Sequence, residues 1–526
     1  MTEVALLLLA AAVGFGAARV TRLPVIPLLI LAGVSLTLVA PIPDEALQDT
    51  LVLGVSMLVF VLGIELSPQR VAHYRTAALR VGVVQFFLLG IAGYFTSVAF
   101  GLSAIEALYF ALALSASSTL VVTRLMKARE QLYEPVGRMV TGVLLLQDLL
   151  IILAIPVVTR LPGGAASVVS GVGATLVLVA LAGAILRWLG PAVLSRFRND
   201  EEVLLLLVLS ILFAFVALAG FFGLPLASGA FLAGVSLSGF PVNGLIRGQL
   251  VSLADFFHTL FFVALGAFLT LPSPAELAQG LVFVLLVLLV TPPLVTFVAE
   301  RAGFSARPAI TAGLLLSQTS EFSLVIGLQG VALGQLSQSL FSVIALSTLA
   351  TMVVTPFIAR DRVVWRLMRH HPFRAPTRPL AEAPSGHVLL VGCGRSGLGL
   401  LEFLVIAPRP VVVIEDDPAL VRLVREGAIP AIRGDVSDVA VLEAAGASKA
   451  HVIISTIRRK EDNGPLLKIA KGIPVFARAF NVSDAEWISD RGGRPVLFSE
   501  AAAEDFLEWY ESEGPGAEGN TQGGPL

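Results

Sequence analysis

The sequence predicts a polytopic α-helical membrane protein with a smaller doubly wound α/β domain at its C-terminal end. Three observations predict it. Of 526 residues, 56% are hydrophobic and only 14% are charged, a balance outside the range of water-soluble domains. Apolar windows of about 20 residues, the length a helix needs to cross the hydrocarbon core, follow one another as far as Arg360. From His387 onward the pattern becomes short β-branched runs alternating with helical stretches. Charge shifts at the same place, since sixteen of the 36 Lys and Arg residues precede Arg360 and the others crowd into the last third. The net charge of -2 thus averages a greasy part and a soluble part, and it implies no nucleic-acid partner. A single cysteine, Cys393, excludes an internal disulfide framework.

The apolar windows fall at 4–20, 25–40, 49–65, 78–100, 104–126, 135–158, 166–190, 203–221, 224–240, 251–271, 278–299, 307–330 and 338–359, thirteen spans in all. The first has no small-residue cleavage site after a short apolar core, so it is expected to stay as a span. Connections after odd-numbered spans carry fifteen of the sixteen basic residues, among them Arg19, Arg75, Arg124, Lys127 and Arg307, whereas those after even-numbered spans carry only Arg160. Positive residues accumulate on the cytoplasmic side, which sets the N-terminus outside and delivers the C-terminal domain to the cytoplasm.

Two spans have hydroxyl and amide groups in their middles, LALSASSTLVV at Leu112 to Val122 and LLLSQTSEFSLVI at Leu314 to Ile326. They are the fifth and the twelfth, so they cross in opposite senses. This is the pattern of inverted repeats whose discontinuous helices meet near the midplane and present backbone carbonyls and amides to an ion. The hydroxyls of Ser115, Ser117, Ser118, Thr119, Ser317, Thr319 and Ser320 suit the backbone groups that a broken helix frees, although small hydroxyl residues also serve as plain interhelical contacts. Glu321, inside the second run, can cap the positive end of a half-helix.

Asp148 stands in the run VLLLQDLLIILAIPV with only Gln147 as a polar neighbour. A charge at that depth costs about 2.5 to 3.5 kcal/mol even on lenient insertion scales. It lies eight or more residues from either end of its span, and the only lysine before Lys449 is Lys127, in a cytoplasmic connection. No membrane-embedded counterion is therefore apparent in the sequence. A carboxylate so placed can exchange a proton for a cation, and its oxygen surroundings suit a hard monovalent ion rather than a transition metal. Glu65, Asp255 and His258 lie near span ends, where interfacial solvation explains them.

The runs LLLQDLLIILAIPV, ASSTLVV, SQTSEFSLVI and SLADFFHTLFFVALGAFL resemble the Kef-type branch of the monovalent cation:proton antiporter superfamily. The Gln-Asp pair is specific to that branch, and the resemblance covers nearly the whole chain. It implies a homodimer in which a core domain with crossed broken helices moves elevator-like against a dimerisation domain. It further implies that Asp148 carries the proton and the monovalent cation, with Gln147 beside it and Ser118, Thr119, Ser317, Gln318 and Glu321 around the crossover. One departure stands out: many electrogenic relatives place a lysine in the span before the second crossover, where this chain reads LLVTPPLVTFV. Electroneutral exchange becomes the expectation, and Pro292 and Pro293 invite a kink.

In the C-terminal part, HVLLVGCGRSG, VVVIEDD, AIRGDVSD, HVIISTI, PVFARAF and RPVLFS read as the strands of a parallel sheet. Gly392, Gly394 and Gly397 form GxGxxG directly after the first of them, and Glu415 ends the second strand. Such a turn lets a phosphate approach the backbone at a helix N-terminus while the acid takes the ribose hydroxyls. Asp435 after the third strand borders the expected adenosine. The domain resembles the TrkA-N, or RCK-type, regulatory domain of potassium transporters and channels, which implies an adenine nucleotide (AMP or NAD(H)) as regulatory ligand, with Arg395 and Ser396 near the phosphates. A ligand-free dimerisation module is the competing reading. Cys393, inside the glycine turn, reads as a buried small residue rather than a redox sensor.

The domain expectation is an exchanger over 1–360, a linker rich in Arg, His and Pro over 361–385, a cytoplasmic nucleotide-binding domain over 386–512 with a final helix from Glu500, and a disordered tail over 513–526. The expected activity is antiport of K+, or Na+, against H+ in the inner membrane, with nucleotide occupancy biasing transport. A soluble ancillary protein or a thiol conjugate such as glutathione is an open partner. Two other classes compete: a ligand-gated potassium channel or uniporter, against which the lack of a TVGYG-like filter weighs, and a membrane-anchored dehydrogenase, for which no hydride-transfer residues are evident.

Overall fold

The computed structural model describes residues 2–21, 25–40, 42–65, 75–129, 131–132, 134–189, 201–238, 244–270, 272–369, 384–457 and 459–497. The expected final helix from Glu500, the tail and residues 370–383 of the linker lie outside these. The chain divides into two compact units, Met1–Ala302 with Ala309–Leu367, and Gly303–Pro308 with Met368–Leu526.

The first unit is helical throughout, and two of the helices given for it begin or end in the second unit, at residues 306–308 and 368–369. Its helices are α1 (Thr2–Thr21), α2 (Val25–Val39), α3 (Asp44–Glu65), α4 (Arg75–Ala99), α5 (Ala104–Ser115), α6 (Thr119–Ala128), α7 (Pro135–Arg160), α8 (Gly164–Ala184), α9 (Glu201–Phe221), α10 (Leu226–Leu237), α11 (Gly244–Phe268), α12 (Pro274–Arg301), α13 (Ala306–Leu315), α14 (Glu321–Ala332), α15 (Gln338–Ile358) and α16 (Asp361–Arg369). Several begin where the sequence supplies a cap. Ser103 accepts from the Glu106 amide and Ser273 from the Glu276 amide, each in a reciprocal capping box, and Ser337 accepts from the Leu340 amide.

Among the described residues eight helical stretches are long and apolar enough to cross a bilayer, against thirteen expected. The difference has two physical causes. Val25–Val39, Leu226–Leu237, Ser252–Phe268 and Glu321–Ala332 are apolar but shorter, and one 3-10 turn at Leu161–Gly163 joins two expected spans into the stretch Pro135–Trp188. The two polar runs do interrupt their helices. Residues 116–118 separate α5 from α6 and residues 316–320 separate α13 from α14, so the order of straight helix, broken helix, straight helix occurs twice, as α4 to α7 and as α12 to α15. Pro292 and Pro293 lie inside α12, which nonetheless runs unbroken from Pro274 to Arg301.

Small residues let helices of this unit touch backbone to backbone. A Cβ added to Gly234 on α10 would sit 2.1 Å from the Phe60 carbonyl of α3, and one added to Gly33 on α2 would sit 2.0 Å from the Val263 carbonyl of α11. In lipid, where apolar side chains gain nothing by leaving the solvent, this close packing is a main source of helix association.

The second unit contains β1 (Val388–Val391), α17 (Arg395–Ile406), β2 (Val411–Glu415), α18 (Pro418–Glu426), β3 (Ala431–Arg433), α19 (Val439–Ala444), β4 (Val452–Ser455), α20 (Gly464–Ile469), β5 (Val475–Ala479), α21 (Val482–Ser489) and β6 (Arg494–Leu497). The strand order is β3-β2-β1-β4-β5-β6, parallel at every pairing. The order reverses between β1 and β4, which puts a crevice at the carboxyl ends of those strands. Strands β1 and β2 are buried along their whole length, as their unbroken Val, Leu and Ile runs require of a sheet covered on both faces.

Replacing Gly234 by Leu should lower the thermal unfolding midpoint of the protein in detergent by several degrees, on the scale of about 1 to 3 kcal/mol for overpacking. Gly173→Leu is the control, because nothing lies within 4 Å of a Cβ there. Equal midpoints for the two variants would refute the packing argument.

Candidate functional site

The first break builds the site. Ala116 and Ser118 are extended, at φ -119° and -69°, so the last carbonyls of α5 and the first amides of α6 lose their helical partners. Ser118 restores one bond by accepting from the Val121 amide at 3.2 Å. Helix α7 supplies two more partners from adjacent residues. Gln147 Oε1 accepts from the Ser117 amide at 3.0 Å, and Thr119 Oγ1 donates to Asp148 Oδ2 at 2.8 Å. Gln147 and Asp148 are both buried, at 0% and 1% exposure. The acid therefore meets the first residue of a helix whose positive end favours an anion.

The second break leans on the first. Ser117 Oγ donates to the Leu316 carbonyl at 2.7 Å, and Ser323 Oγ donates to the Ala113 carbonyl. As the first run advances from Ala113 to Ser117 its partner falls back from Ser323 to Leu316, the register of two segments crossing in opposite directions. Glu321 Oε1 accepts from the Leu120 amide at 3.4 Å, so the carboxylate of one half-helix caps the amide end of another. Thr319 is braced against α15, where its amide donates to Thr351 Oγ1 at 3.1 Å.

The structure thus gathers Gln147, Asp148, Ser118, Thr119 and Glu321 at one crossing. Ser317 and Gln318 behave differently, for their side chains turn back onto α13 and donate to the Leu314 and Leu315 carbonyls at 2.7 and 3.3 Å. They cap a helix end. Buried Gln85 on α4 was missed: its Nε2 donates to Ser117 Oγ and to the Leu316 carbonyl. Its signal, a lone amide in the run RVGVVQFFLLG, is of the same kind that marks Asp148. Thr291 stands next to Pro292 and is fully buried. Of the ionisable groups near span ends, Asp255 is exposed, His258 is half-buried, and the side chain of Glu65 lies outside the described residues.

In the second unit the three glycines have separate reasons. Gly392 adopts φ +84°, where other residues are strained. A Cβ on Gly397 would lie 2.2 Å from the Gly392 carbonyl, whereas one on Gly394 would meet nothing within 4 Å. Gly394 precedes α17 without a side-chain cap, so the turn leaves the first amides of a 12-residue helix beside an open face. Glu415 is buried and caps the same turn, accepting from the Cys393 amide through Oε2 and from the Asp416 and Asp417 amides through Oε1 at 2.9 and 3.0 Å. Ser396 is exposed and accepts from Arg478 Nη1 at 3.1 Å. Arg395 opens α17, and its side chain lies outside the described residues.

Asp435 is engaged by its own unit. Its Oδ1 accepts from the Ser437 amide at 2.9 Å, and Arg307, in the Gly303–Pro308 segment of this unit, pairs with Oδ2 at 3.1 Å and with Asp462 at 2.7 Å. Burial pushes the Asp462 carboxyl up, and the Arg307 and Arg459 charges pull it back. Burial, with the Glu415 charge added, pushes the Cys393 thiol up to about 11.

Crossed helix breaks around a buried acid, on a chain that also carries a parallel α/β unit, define a membrane antiporter for cations and protons. Comparison places the chain within that class. A family model described as sodium/hydrogen exchanger, transmembrane, matches residues 4–361, and a TrkA-N domain model matches residues 388–499. The chain belongs to the sodium/hydrogen exchanger family.

YbaL of Escherichia coli (strain K12), which bears the name of a cation/proton antiporter, is 26% identical over 499 residues, covering 88% of this chain and 87% of YbaL. The glutathione-regulated potassium-efflux system protein KefC of Shigella flexneri serotype 5b (strain 8401) is 27% identical over 449 residues, covering 82% of this chain and 71% of KefC. The sodium proton antiporter MjNhaP1 of Methanocaldococcus jannaschii shares the fold, with a TM-score of 0.54 at 16% identity over 70% of this chain and 99% of its own. The protein is accordingly a multi-pass inner-membrane cation/proton antiporter and not an enzyme.

Because the Cys393 thiol is buried and held protonated, it should resist iodoacetamide in the native protein at pH 8 and react only after denaturation. Stoichiometric labelling of the folded protein within minutes would show the thiol to be accessible.

Proposed function

We propose that the protein exchanges K+ for H+ across the inner membrane, with Asp148 holding either a proton or the cation. One observation carries the reading: the buried Asp148 carboxylate is hydrogen-bonded to Thr119 at the first helix break, where oxygens of both chain halves converge. A proton and an alkali ion compete for the same carboxylate oxygen, so each turn of the carrier moves one in exchange for the other. Potassium is favoured by the names of the KefC relatives, and sodium is the alternative cargo. The stretch LLVTPPLVTFV, in the span before the second crossover, holds no lysine, which supports electroneutral exchange by leaving out a second titrating group.

Residues 1–360 form the exchanger in this reading, working as a homodimer by elevator-like movement of the crossover helices. The N-terminus is outside, and residues 386–512 are a cytoplasmic regulatory domain that the 361–385 linker attaches. That domain binds an adenine nucleotide, AMP or NAD(H), whose phosphates meet the glycine turn at Gly392, Gly394 and Gly397 and whose ribose meets Glu415. The open face at Gly394 and the uncapped start of α17 support this. Arg395 and Ser396 flank the phosphates. The Asp435 carboxylate, already paired with Arg307, borders the adenosine, so occupancy reorganises that pair.

In proteoliposomes loaded with a pH-sensitive dye, Asp148→Asn should reduce cation-driven proton movement to the empty-liposome level for Li+, Na+, K+ and Rb+. Exchange at even a tenth of the wild-type rate would remove Asp148 from its role. Flux indifferent to the proton gradient, at rates far above a carrier's, would mark a channel instead.

Calorimetric titration of the full-length protein in detergent should detect AMP, NAD+ or NADH. Gly394→Val, which fills the open face, should abolish that heat, whereas no heat with any of the three would leave the domain a scaffold.

A further inference from the structure

Gln85 is a buried polar side chain that neither the acid chemistry nor the nucleotide reading uses. It stands in α4, the helix before the first broken pair, and is 1% exposed. Its Nε2 donates to Ser117 Oγ at 3.0 Å and to the Leu316 carbonyl at 3.4 Å, one acceptor from each break. These partners fix which way the amide faces. A carbonyl oxygen cannot donate, so the group facing Leu316 is the NH2, and the single Ser117 hydroxyl proton already goes to Leu316, leaving its lone pair for Gln85. Gln85 Oε1 is consequently turned the other way, buried, and accepts from no protein donor among the described residues.

That orphaned oxygen is costly, because a buried acceptor without a donor forfeits its hydration and gains nothing in return. Leucine would fill the position more cheaply in an apolar helix. The oxygen also belongs to the same cluster as the acid: Ser117 gives its amide hydrogen to Gln147, the neighbour of Asp148, and its hydroxyl oxygen to Gln85. Gln318 Oε1 and Glu321 Oε2, at the second break, are likewise buried without a protein donor among the described residues. Excess oxygen acceptors without donors are the makings of a cation site.

Resting on the reading that the crossover is the cation site, we propose that Gln85 is a specificity-determining residue of the exchange. Its Oε1 supplies a neutral oxygen to the passing alkali cation, and its Nε2 holds that oxygen at a fixed place relative to both breaks. A neutral amide differs from Asp148 in one decisive way. It binds no proton at physiological pH, so it acts on the cation-loaded carrier alone. An oxygen whose amide nitrogen is fixed by two hydrogen bonds replaces a hydration water best for one ionic radius, which makes it a source of discrimination among alkali ions.

The test uses full-length protein in proteoliposomes with Li+, Na+, K+ and Rb+ in turn, and Asp148→Asn in parallel. Gln85→Met keeps length and burial but removes both polar groups. The apparent KM for the preferred cation should rise about tenfold or more and the preference among the four ions should flatten, while the maximal rate falls less than the affinity. Gln85→Glu keeps an oxygen but loses the NH2 that Ser117 and Leu316 accept from and adds a titrating group, so both the ion preference and the pH profile should depart from the wild type.

Unchanged KM and ion preference in Gln85→Met, or an equal loss of maximal rate for all four ions, would reduce Gln85 to a brace and overturn the proposal. If Gln85→Met yields no folded protein, Gln85→Glu decides: wild-type ion preference and pH profile in that variant overturn it equally. Exchange that persists in Asp148→Asn would instead remove the crossover reading itself, whatever Gln85 does.

Discussion

The mutual satisfaction of two broken helices is the constraint on which the membrane unit depends. Water is absent from a bilayer core, so every amide and carbonyl freed at a break must find a partner within the protein. Here each break answers the other: Ser117 serves the Leu316 carbonyl, Ser323 the Ala113 carbonyl, and Glu321 the Leu120 amide. Remove one half and the other exposes buried donors and acceptors at several kcal/mol each. The two polar runs are thus a single structural object distributed across 200 residues of sequence, and any cation passing between them meets groups already positioned by that exchange of hydrogen bonds.

The acid at the centre gains its character from this arrangement. Asp148 meets Thr119 at the start of α6, and its neighbour Gln147 takes the Ser117 amide, so two adjacent residues of α7 hold two sides of one break. Movement of α7 relative to α6 alters the partners of both at once. The α/β unit uses the same device in water-accessible form. Glu415 holds the glycine turn through the Cys393 amide, and Thr456 Oγ1 donates to the Gly392 carbonyl at 2.9 Å, so capping hydrogen bonds hold the turn while the Cys393 side chain packs into the core below it.

Much of this was legible in the sequence because the relevant signals are local. A hydroxyl-rich interruption of an apolar run forecasts a break, an isolated carboxylate in such a run forecasts a buried acid, and GxGxxG after a buried strand forecasts a tight turn into a helix. The less legible parts are those where a side chain chooses between near and distant partners. Ser317 and Gln318 sit in the same polar run as Thr319 and Glu321, yet their reach is spent on carbonyls three residues back. The Asp435 carboxylate likewise pairs with Arg307, more than a hundred residues away in sequence, a partner that no local pattern points to. The span count was least legible, since a window of apolar residues does not reveal where a 3-10 turn joins two helices or where a helix stops short.

By itself the sequence determined the membrane class, the two broken runs, the isolation of Asp148 within an apolar helix and the parallel α/β unit, because burial in lipid and the period of the hydrophobic pattern leave few alternatives for such composition. Only the tertiary structure decided which oxygens meet: that Thr119 reaches Asp148, that Glu321 caps a helix from the other half, and that Gln85 bridges both breaks with its own carbonyl left over. The reason is geometric. Hydrogen bonds act over about 3 Å, and residues 29 to 231 positions apart come within that reach only once the helices have packed.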